Sequence, residues 1–143
     1  MTCTIISKGN DIQQSQNEHE PPYPQIKEKL RRKIWELYNK GYTDFYLNCE
    51  YGVPLWAAEI ICELKEDNDI GLHIVTPYEN QSLKWTEENR DRYYDIHRLS
   101  DDVHMISTHY YDGCYDDADK YMIDRSDLLL VYGEDGDLYE KRV

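Results

Sequence analysis

The sequence predicts an α/β fold, a three-layer Rossmann-like domain with a five-stranded, mainly parallel sheet. Short β-branched and apolar runs alternate with segments whose apolar residues recur at three- and four-residue spacing. Clusters of glycine, proline, asparagine and aspartate separate these segments. Right-handed crossovers join strands that alternate with helices, and they place the strands parallel to one another. The chain has 143 residues, a length typical of one domain, so we expect residues 1–143 to fold as a single unit.

The first half of the chain is predicted to contain two strands and two helices. A β-branched run predicts the first strand at Thr2–Ser7, and a polar stretch at 8–22 predicts a long loop. Residues 24–40 carry amphipathic spacing between a proline suited to a first helical turn and a terminating glycine. A short apolar run at 43–47 is the second predicted strand. A helix follows at 54–65, and its two alanines allow close approach to a sheet.

The second half continues the alternation. Its predicted elements are, in order, a strand at 71–76, a helix at 86–99, a strand at 103–107, a helix at 116–124 and a strand at 128–132. The last of these strands is apolar throughout, which predicts burial on both faces. Residues 133–143 are expected to turn and then either add a short edge strand or form a short C-terminal tail.

The charge of the chain restricts its partners. Lysine and arginine number 16, aspartate and glutamate number 29, and the formal net charge is −13. Nucleic-acid phosphates and anionic lipids bind clustered cations, so we expect no direct nucleic-acid partner and no membrane partner. A soluble acidic surface explains the charge. The same surface would suit a basic protein partner or mimic the charge of DNA.

Cysteine and histidine spacing predicts no metal site, and we expect no cofactor. The four cysteines form no CxxC pair, and the five histidines form no HxH or HExxH pattern. No basic flank leads into a long apolar stretch at the N-terminus, and no segment approaches the ~20 apolar residues of a membrane helix. These features predict a protein of the reducing cytoplasm.

The turn after the second predicted strand is the first candidate for a binding site. Positions 48–59 read NCEYGVPLWAAE, so a strand leads through a glycine, Gly52, into the N-terminus of a helix. Free N–H groups and the helix dipole favour negative charge at such a terminus. Glu50 places an acid in this turn, where such sites usually carry small residues. The same acid would oppose a thiolate at Cys49.

Three segments resemble the YpsA-like family of the SLOG superfamily, which also includes the DNA-processing protein DprA and the LOG phosphoribohydrolases. Positions 52–59, GVPLWAAE, are similar to that family's GxDxWAAE segment. Positions 76–81, TPYENQ, together with Trp85 resemble its P-[FY]-x-x-Q…W segment. Positions 121–129, YMIDRSDLL, resemble its final helix–strand junction. The resemblance covers roughly residues 4–132 in the same order.

This resemblance implies a Rossmann-like fold that holds a nucleotide-derived ligand where the second and last strands end, at a topological switch point. Some members of the superfamily hydrolyse nucleotide monophosphates, whereas others sense a nucleotide signal, and related proteins often form homodimers. Carried onto this sequence, the predicted ligand-binding residues are Ser7, Lys8, Gly9, Asn48, Glu50, Gly52, Trp56, Glu59, Tyr78 and Gly133.

The chain departs from the family pattern at its phosphate-binding turns. The first-strand turn, usually of a Gly-His/Tyr-Arg-Pro type, reads SKGN at positions 7–10 and lacks the arginine. The Gly-Gly-Thr-type loop after the last strand is replaced by GEDGD at 133–137. Two like charges about 4 Å apart repel by roughly 4 kcal/mol at an effective dielectric of about 20. A diphosphate would therefore need compensation from Lys8, Lys84 or Arg125.

Several residues have two interpretations each. Glu59 resembles by position the glutamate that assists N-glycosidic hydrolysis in LOG-type enzymes, but a helix glutamate also complements the dipole or pairs with a cation. Trp56 stacks on a base in one interpretation and packs in the core in the other. Arg125 either grips a phosphate or pairs with a neighbouring aspartate. His73 is expected to pack within its strand.

Two hypotheses of function follow from these features. In the first, the chain is a non-catalytic sensor or sequestering module for a nucleotide-derived small molecule. In the second, the Rossmann frame is a scaffold without a ligand, and an acidic, tyrosine-rich face binds a basic or nucleic-acid-handling protein, as a DNA mimic would. The 14 tyrosines, three of them in the predicted loop at 110–115, favour such a face. An N-glycosidase ranks last because it would need an intact phosphate loop.

Overall fold

The structure is a computed structural model that describes residues 1–9 and 12–143. Within these residues, strands and helices alternate along the chain. The elements are β1 Thr2–Ser7, α1 Tyr23–Asn39, β2 Asp44–Leu47, α2 Val53–Leu64, β3 Gly71–Thr76, α3 Glu87–Leu99, β4 Asp102–Met105, α4 Cys114–Ile123, β5 Leu128–Tyr132 and β6 Leu138–Arg142.

The order of the strands explains how the helices are distributed over the sheet. The order is β4-β3-β2-β1-β5-β6, with parallel pairing from β4 to β5 and antiparallel pairing between β5 and β6. From β1 to β4 every crossover steps to the same side, so right-handed connections place α1, α2 and α3 on one face. The connection from β4 to β5 returns past β1, which places α4 on the opposite face. The predicted three-layer, Rossmann-like α/β fold is confirmed.

The two faces of the sheet are buried to different extents. Beneath α1, α2 and α3 lies a large apolar core, to which the sheet contributes fully buried residues such as Phe45 and Leu130. The face covered by α4 has a small core built around Ile6, Val75 and Met122. Because α2 packs in the larger core, the turn that precedes it is held rigidly between the sheet and the helix layer.

The C-terminal segment corrects two predictions. The sheet has six strands rather than five within the described residues, because Leu138–Arg142 pairs antiparallel with β5. The connecting turn is tight, and the Gly133 N–H donates to the Asp137 carbonyl at 2.8 Å.

The prediction that β5 is buried on both faces is wrong, since Leu129 and Val131 are only half-buried. A single ten-residue helix, α4, is too short to cover that whole face.

Other element boundaries differ from the predictions by one or two residues. β4 ends at Met105 rather than at residue 107, because its partner strand β3 ends at Thr76 and Pro77 has no N–H to continue the ladder. All four residues of this edge strand are exposed. α4 begins at Cys114, two residues before its predicted start, because Gly113 adopts a left-handed conformation, φ 92°, and serves as its N-cap.

Candidate functional site

The turn after β2 lies at the edge of the sheet where the parallel strands end. The buried Asn48 side chain accepts the Glu50 N–H at 2.9 Å, and Cys49 has a left-handed φ of 57°. Gly52 then takes φ 107°, a conformation that glycine adopts readily, and α2 begins at the next residue. The strand, turn and helix predicted from positions 48–59 are therefore present, and they bring Glu50 to the strand-end edge.

A cleft of about 460 Å³ opens beside this turn, and we name it the strand-end cleft. Among the described residues it is lined by aromatic rings and amides, with one charged side chain, that of Glu50. The lining residues are Ile12, Gln13, Gln14, Ser15, Glu50, Tyr51, Tyr78, Gln81, Trp85 and Tyr115. The cleft has the size of a small-molecule site and lies at the edge of the sheet formed by the carboxyl ends of the parallel strands. It contains two of the predicted residues, Glu50 and Tyr78.

The aromatic side chains of the cleft form two edge-to-face pairs. The ring centroids of Tyr78 and Tyr115 are 6.4 Å apart at 76°, and those of Tyr51 and Trp85 are 6.0 Å apart at 82°. Edge-to-face packing fixes the ring orientations and leaves ring faces as apolar surface. Tyr78, Trp85 and Tyr115 are half-buried, so part of each side chain remains accessible from the cleft.

The Gln81 side chain connects the elements around the cleft by hydrogen bonds. Its buried side-chain amide donates to the Asn48 carbonyl at 3.0 Å and to the Tyr115 hydroxyl at 3.4 Å. Its carbonyl oxygen accepts from the Tyr93 hydroxyl of α3 at 3.0 Å. One side chain thus joins the β2 turn, α3 and α4, three elements far apart in the sequence.

Two carboxyl groups lie close together at this edge. Burial raises the pKa of Glu50. Burial and the charge of Glu50 raise the pKa of Asp119, on the second turn of α4, to about 6, although a 3.4 Å hydrogen bond from Asn48 opposes the shift. Asp119 thus lies within range of the Glu50 charge, and carboxyl groups with perturbed pKa values cluster at functional sites.

The remaining strand-end residues lie beside the cleft rather than in its lining. Ser7, Lys8, Gly9 and Gly133 stand at the ends of the adjacent strands β1 and β5. β1 separates β2 from β5, so the crossover direction reverses between β1 and β5. This corrects the switch point implied by the resemblance, which was placed at the second and last strands.

The glycine positions at these two strands leave little space for a phosphate. Gly9, at φ 63°, packs so closely against the Glu134 side chain that a Cβ at this position would clash with it. The Gly133 N–H is already bonded within the β5–β6 turn. The Glu134 side chain therefore covers the turn after β1, and the N–H group of Gly133 after β5 is not available to a phosphate.

Trp56 lies in a different place from Glu50. Its ring is 1% exposed, packs edge-on against Tyr23 at 5.8 Å and lies 5.0 Å from the Lys27 Nζ. It borders a groove of about 660 Å³ between α1, α2 and α3, which we name the outer groove. Its Nε1 has no hydrogen-bond partner among the described residues. This environment fits the core interpretation, and Trp56 is not among the residues that line the strand-end cleft.

Glu59 also lines the outer groove, where it is bound in an ion pair. Arg92 of α3 donates to both Glu59 oxygens, at 2.6 and 2.9 Å, and to both Glu18 oxygens, at 2.7 and 3.0 Å. Such bidentate pairs are the strongest ion pairs in proteins. The structure thus gives Glu59 a cation partner, the alternative to a catalytic role.

Residues 12–20 form a strap that borders both the strand-end cleft and the outer groove. The Glu18 carboxylate anchors it by accepting from Lys27 at 2.7 Å and from the Tyr51 hydroxyl at 2.5 Å, in addition to Arg92. Burial raises the pKa of Glu18, but these hydrogen bonds outweigh burial and lower it to about 2. Gln14 adds two hydrogen bonds to the start of α3.

Four other residues singled out in the sequence lie outside the cleft lining. Arg125 follows α4, at the opposite edge of the sheet, where its guanidinium stacks 3.4 Å from the Tyr121 ring centroid. Lys84 is exposed. His73 packs against the Tyr46 ring at a centroid distance of 5.0 Å, and it also bridges aspartates on the two neighbouring strands. Burial raises the pKa of Cys49, so this cysteine remains a thiol. Asn10, in the first-strand turn, lies outside the described residues.

Residues 1–9 and 12–143 contain neither a membrane-spanning helix nor a cluster of metal-ligating side chains. This part of the chain has no helix with the length and apolar character needed to cross a bilayer. It also contains no cluster of three or more histidine, cysteine or acidic side chains suited to a metal ion. Its four cysteines are free thiols, and three of them are buried.

Comparison with known proteins identifies the family. The model of the YpsA family, described as the YspA SLOG family, matches residues 14–140, which is most of the chain. The chain belongs to the YpsA-like SLOG family. The predicted resemblance is confirmed, and the segment at 52–59 that carried it forms the start of α2 in the structure.

Relatives of this SLOG chain have been named as UPF0398 proteins. It is 32% identical to one from Brevibacillus brevis over 85% of the chain and 66% of the relative, and 34% identical to one from Halalkalibacterium halodurans over 77% and 60%. It is 30% identical to one from Staphylococcus aureus over 80% of the chain and 64% of the relative. The chain thus spans less than two thirds of the length of these relatives.

Eight of the ten described residues that line this SLOG cleft were not among the predicted ligand-binding residues. Gln81 and Trp85 lie within the family segment at 76–85, so the motif itself could have placed them in the site. Tyr115 and Asp119 come from α4, which reaches the β2 turn only through a long crossover. The only local signal for them was an aromatic and acidic first turn after Gly113.

Proposed function

We propose that this chain binds a nucleotide-derived small molecule in the strand-end cleft and acts as a non-catalytic sensor or sequestering module. The observation that carries the proposal is the cleft itself, where a planar group can contact Tyr78, Trp85 and Tyr115 beside the Glu50 carboxylate. Aromatic side chains beside amide, hydroxyl and carboxyl groups offer a flat ligand both ring contacts and hydrogen bonds. Membership of the SLOG family supports a nucleotide-derived ligand.

The ion pair of Glu59, the residue that resembles a catalytic glutamate, is consistent with a binding role. Glu59 is paired with Arg92 and lines the outer groove, whereas the ligand proposed here occupies the strand-end cleft. A general acid or base must lie within hydrogen-bond distance of the reacting group. We therefore propose binding without hydrolysis. We also propose a cytoplasmic location, since free thiols suit a reducing compartment.

Thermal unfolding against a ligand panel tests the proposal. The panel contains nucleosides, their monophosphates, NAD, ADP-ribose and cyclic oligonucleotides. A ligand at 100 times its dissociation constant adds about 2.7 kcal/mol to the free energy of unfolding, which is a readily measured shift. We expect a shift with at least one compound, and we expect Tyr78→Ala and Trp85→Ala to reduce it.

Two matched variants assign the shift to a site. Tyr94→Ala removes an exposed tyrosine of α3 outside the cleft and should leave the shift unchanged. Glu59→Ala opens the outer groove and should lower the stability of the free protein without removing the ligand shift. A ligand shift that depends on Glu59 and not on Tyr78 would move the site to the outer groove. The absence of a shift with every compound would refute ligand binding.

A second function is favoured by the loop between β4 and α4. This loop exposes Tyr110 and Tyr111, and Tyr111 donates to Asp117 at 2.5 Å within an acidic first turn of α4. We propose as the alternative that this tyrosine-acid surface binds a basic or nucleic-acid-handling protein. Aromatic rings with polar tips beside carboxylates are suited to a protein interface.

A defined basic protein tests the alternative better than an unknown one. Binding to a purified histone is measured at low and high salt, for the wild type and for a variant in which Tyr110 and Tyr111 are alanine. The alternative predicts binding that weakens with salt and with the tyrosine substitutions. Equal binding by the variant would leave only non-specific charge attraction and would refute this surface.

A further inference from the structure

Among the described residues, none donates a hydrogen bond to the one carboxylate that lines the strand-end cleft, that of Glu50. No hydrogen bond or ion pair within residues 1–9 and 12–143 reaches the Glu50 carboxylate, although its neighbour Glu18 accepts from three side chains. Glu50 is half-buried, and a desolvated carboxylate gains most from hydrogen-bond donors. The missing partner of Glu50 is therefore a donor group, and the cleft is where it can reach this carboxylate.

The charges next to the cleft exclude an anion from the same position. Glu50 is the one charged side chain in the described lining, and Asp119 lies close enough to feel its charge. The first turn of α4 adds Asp116 and Asp117 to the same edge. The cation Lys8 is exposed, and its charge acts on Asp119. A phosphate placed beside Glu50 would meet net repulsion.

The rings around Glu50 define the shape of the donor. Tyr78, Trp85 and Tyr115 line the cleft together with Glu50 and are half-buried, so a flat ring that enters the cleft meets aromatic surface next to this carboxylate. Aromatic rings stack on every nucleobase, whereas a carboxylate accepts from the exocyclic amine that only some bases carry. Cytosine, adenine and guanine carry such an amine, and uracil does not.

We propose, resting on the function proposed above, that the strand-end cleft recognises an amine-bearing nucleobase through Glu50, with the aromatic side chains around its ring and no phosphate at this end. The ligand class is a nucleoside, or a nucleotide derivative whose phosphate lies away from the cleft. Glu50 is then the residue that selects the base. Glu50 in the turn before α2 thus recognises the base, and its position is not that of a phosphate-binding group.

Calorimetric titration of matched nucleosides tests this recognition. The titrants are cytidine, uridine, adenosine and guanosine, each compared with its 5′-monophosphate at pH 8. We expect cytidine to bind at least about tenfold more tightly than uridine, since hydrogen bonds to a charged acceptor have that strength. We expect the tightest nucleoside to bind about tenfold more tightly than its monophosphate.

Variants at Glu50 show whether this carboxylate sets the preference among nucleobases or only changes the affinity for all nucleosides. Glu50→Gln should bring the cytidine and uridine affinities within about threefold of each other, and Glu50→Lys should make the monophosphates bind more tightly than the nucleosides. Glu79→Gln, an exposed acid of the neighbouring loop, is the matched control and should change neither ratio. Thermal unfolding of each variant confirms that it is folded, and Gln is expected to be tolerated because it removes a buried charge.

The outcomes separate the two proposals. If monophosphates bind as tightly as nucleosides, or if the cytidine preference survives in Glu50→Gln, the recognition proposed here is wrong while ligand binding stands. If no nucleoside, nucleotide, NAD or ADP-ribose binds to the wild type, the proposed function fails and base recognition fails with it. A cytidine preference that disappears only in the Glu50 variants supports the proposal.

Discussion

Asp119→Asn should stabilise the protein at neutral and alkaline pH. The pKa of Asp119 rises from its ordinary 3.8 to about 6 because of burial and the charge of Glu50. Each pKa unit corresponds to about 1.4 kcal/mol, so a shift of about two units makes the ionised fold about 3 kcal/mol less stable. Asparagine removes the charge and keeps an oxygen that can accept the 3.4 Å hydrogen bond from Asn48. We expect a gain of about 2–3 kcal/mol at pH 8, or roughly 5–10 °C in the melting temperature.

The sign of the effect fixes its pH dependence. A folded pKa above the unfolded pKa means that the folded state holds its proton longer than the unfolded state as pH rises. Asp119 therefore contributes no destabilisation below about pH 4, an increasing amount between pH 4 and 6, and its full amount above pH 6. The advantage of the variant should follow the same curve.

Urea unfolding at several pH values measures this prediction directly. The free energy of unfolding is extrapolated for the wild type, Asp119→Asn and a control, Asp91→Asn, in which an exposed acid of α3 is changed. The control should show a small difference at every pH. A gain that is equal at pH 3.5 and pH 8, or no gain at pH 8, would refute the reasoning that Asp119 is ionised at a cost in this site.

Three further predictions concern the groups that hold the cleft and the sheet together. Glu18→Gln should destabilise the fold by about 1–2 kcal/mol above pH 4.5, because the lowered pKa of about 2 reflects stability that is lost as pH falls from 4.5 towards 2; denaturant midpoints at pH 7 and pH 3 measure this. Gln81→Leu should cost about 2–4 kcal/mol by leaving its partners unpaired, as measured by urea unfolding. His73→Gln should lose stability relative to the wild type at pH 5.5 and less at pH 9, as measured by melting temperature, because neighbouring carboxylates outweigh burial and raise the pKa of His73 above 6.5.

Two of these predictions have a matched control variant, and the third is checked by the direction of its pH dependence. Glu20→Gln removes an exposed acid of the strap, so an equal loss from it would contradict the anchoring role of Glu18. Gln25→Leu changes an exposed glutamine of α1, and Gln81→Leu must be clearly worse. For His73, a difference that grows as pH rises would reverse the assigned sign, since the stabilising charge is present below pH 6.5 and is lost above the raised pKa.

Local patterns were sufficient to predict the fold. The β-branched run at β1, the amphipathic spacing of α1 and the glycine turn before α2 each depend on residues close together in the sequence, and each element formed within one or two residues of its prediction. The burial of β5 was mispredicted for a non-local reason. Its apolar residues indicate burial only if both faces are covered, and the return crossover supplies one short helix on one of them.

The site was predicted only in part, because its lining comes from distant segments. Glu50 and Tyr78 follow the ends of adjacent strands, so their joint position follows from parallel pairing. Trp56 and Glu59 belong to the same motif as Glu50, but the helix carries them along the sheet and into the outer groove. Residues of one motif are close in the sequence, but each residue of a helix advances about 1.5 Å along the axis, so residues along α2 reach different sites.

The sequence by itself determined the α/β alternation, the family and the acidic glycine turn, since periodicity and short motifs carry these features. Only the tertiary structure decided which remote side chains interact. It brings Glu50 within range of the charge of Asp119, pairs Glu59 with Arg92, and places the strap beside both the strand-end cleft and the outer groove. The physical reason is that ionisation and hydrogen bonding act over a few ångströms. Such distances between remote segments exist only after the crossovers have packed the helices onto the sheet.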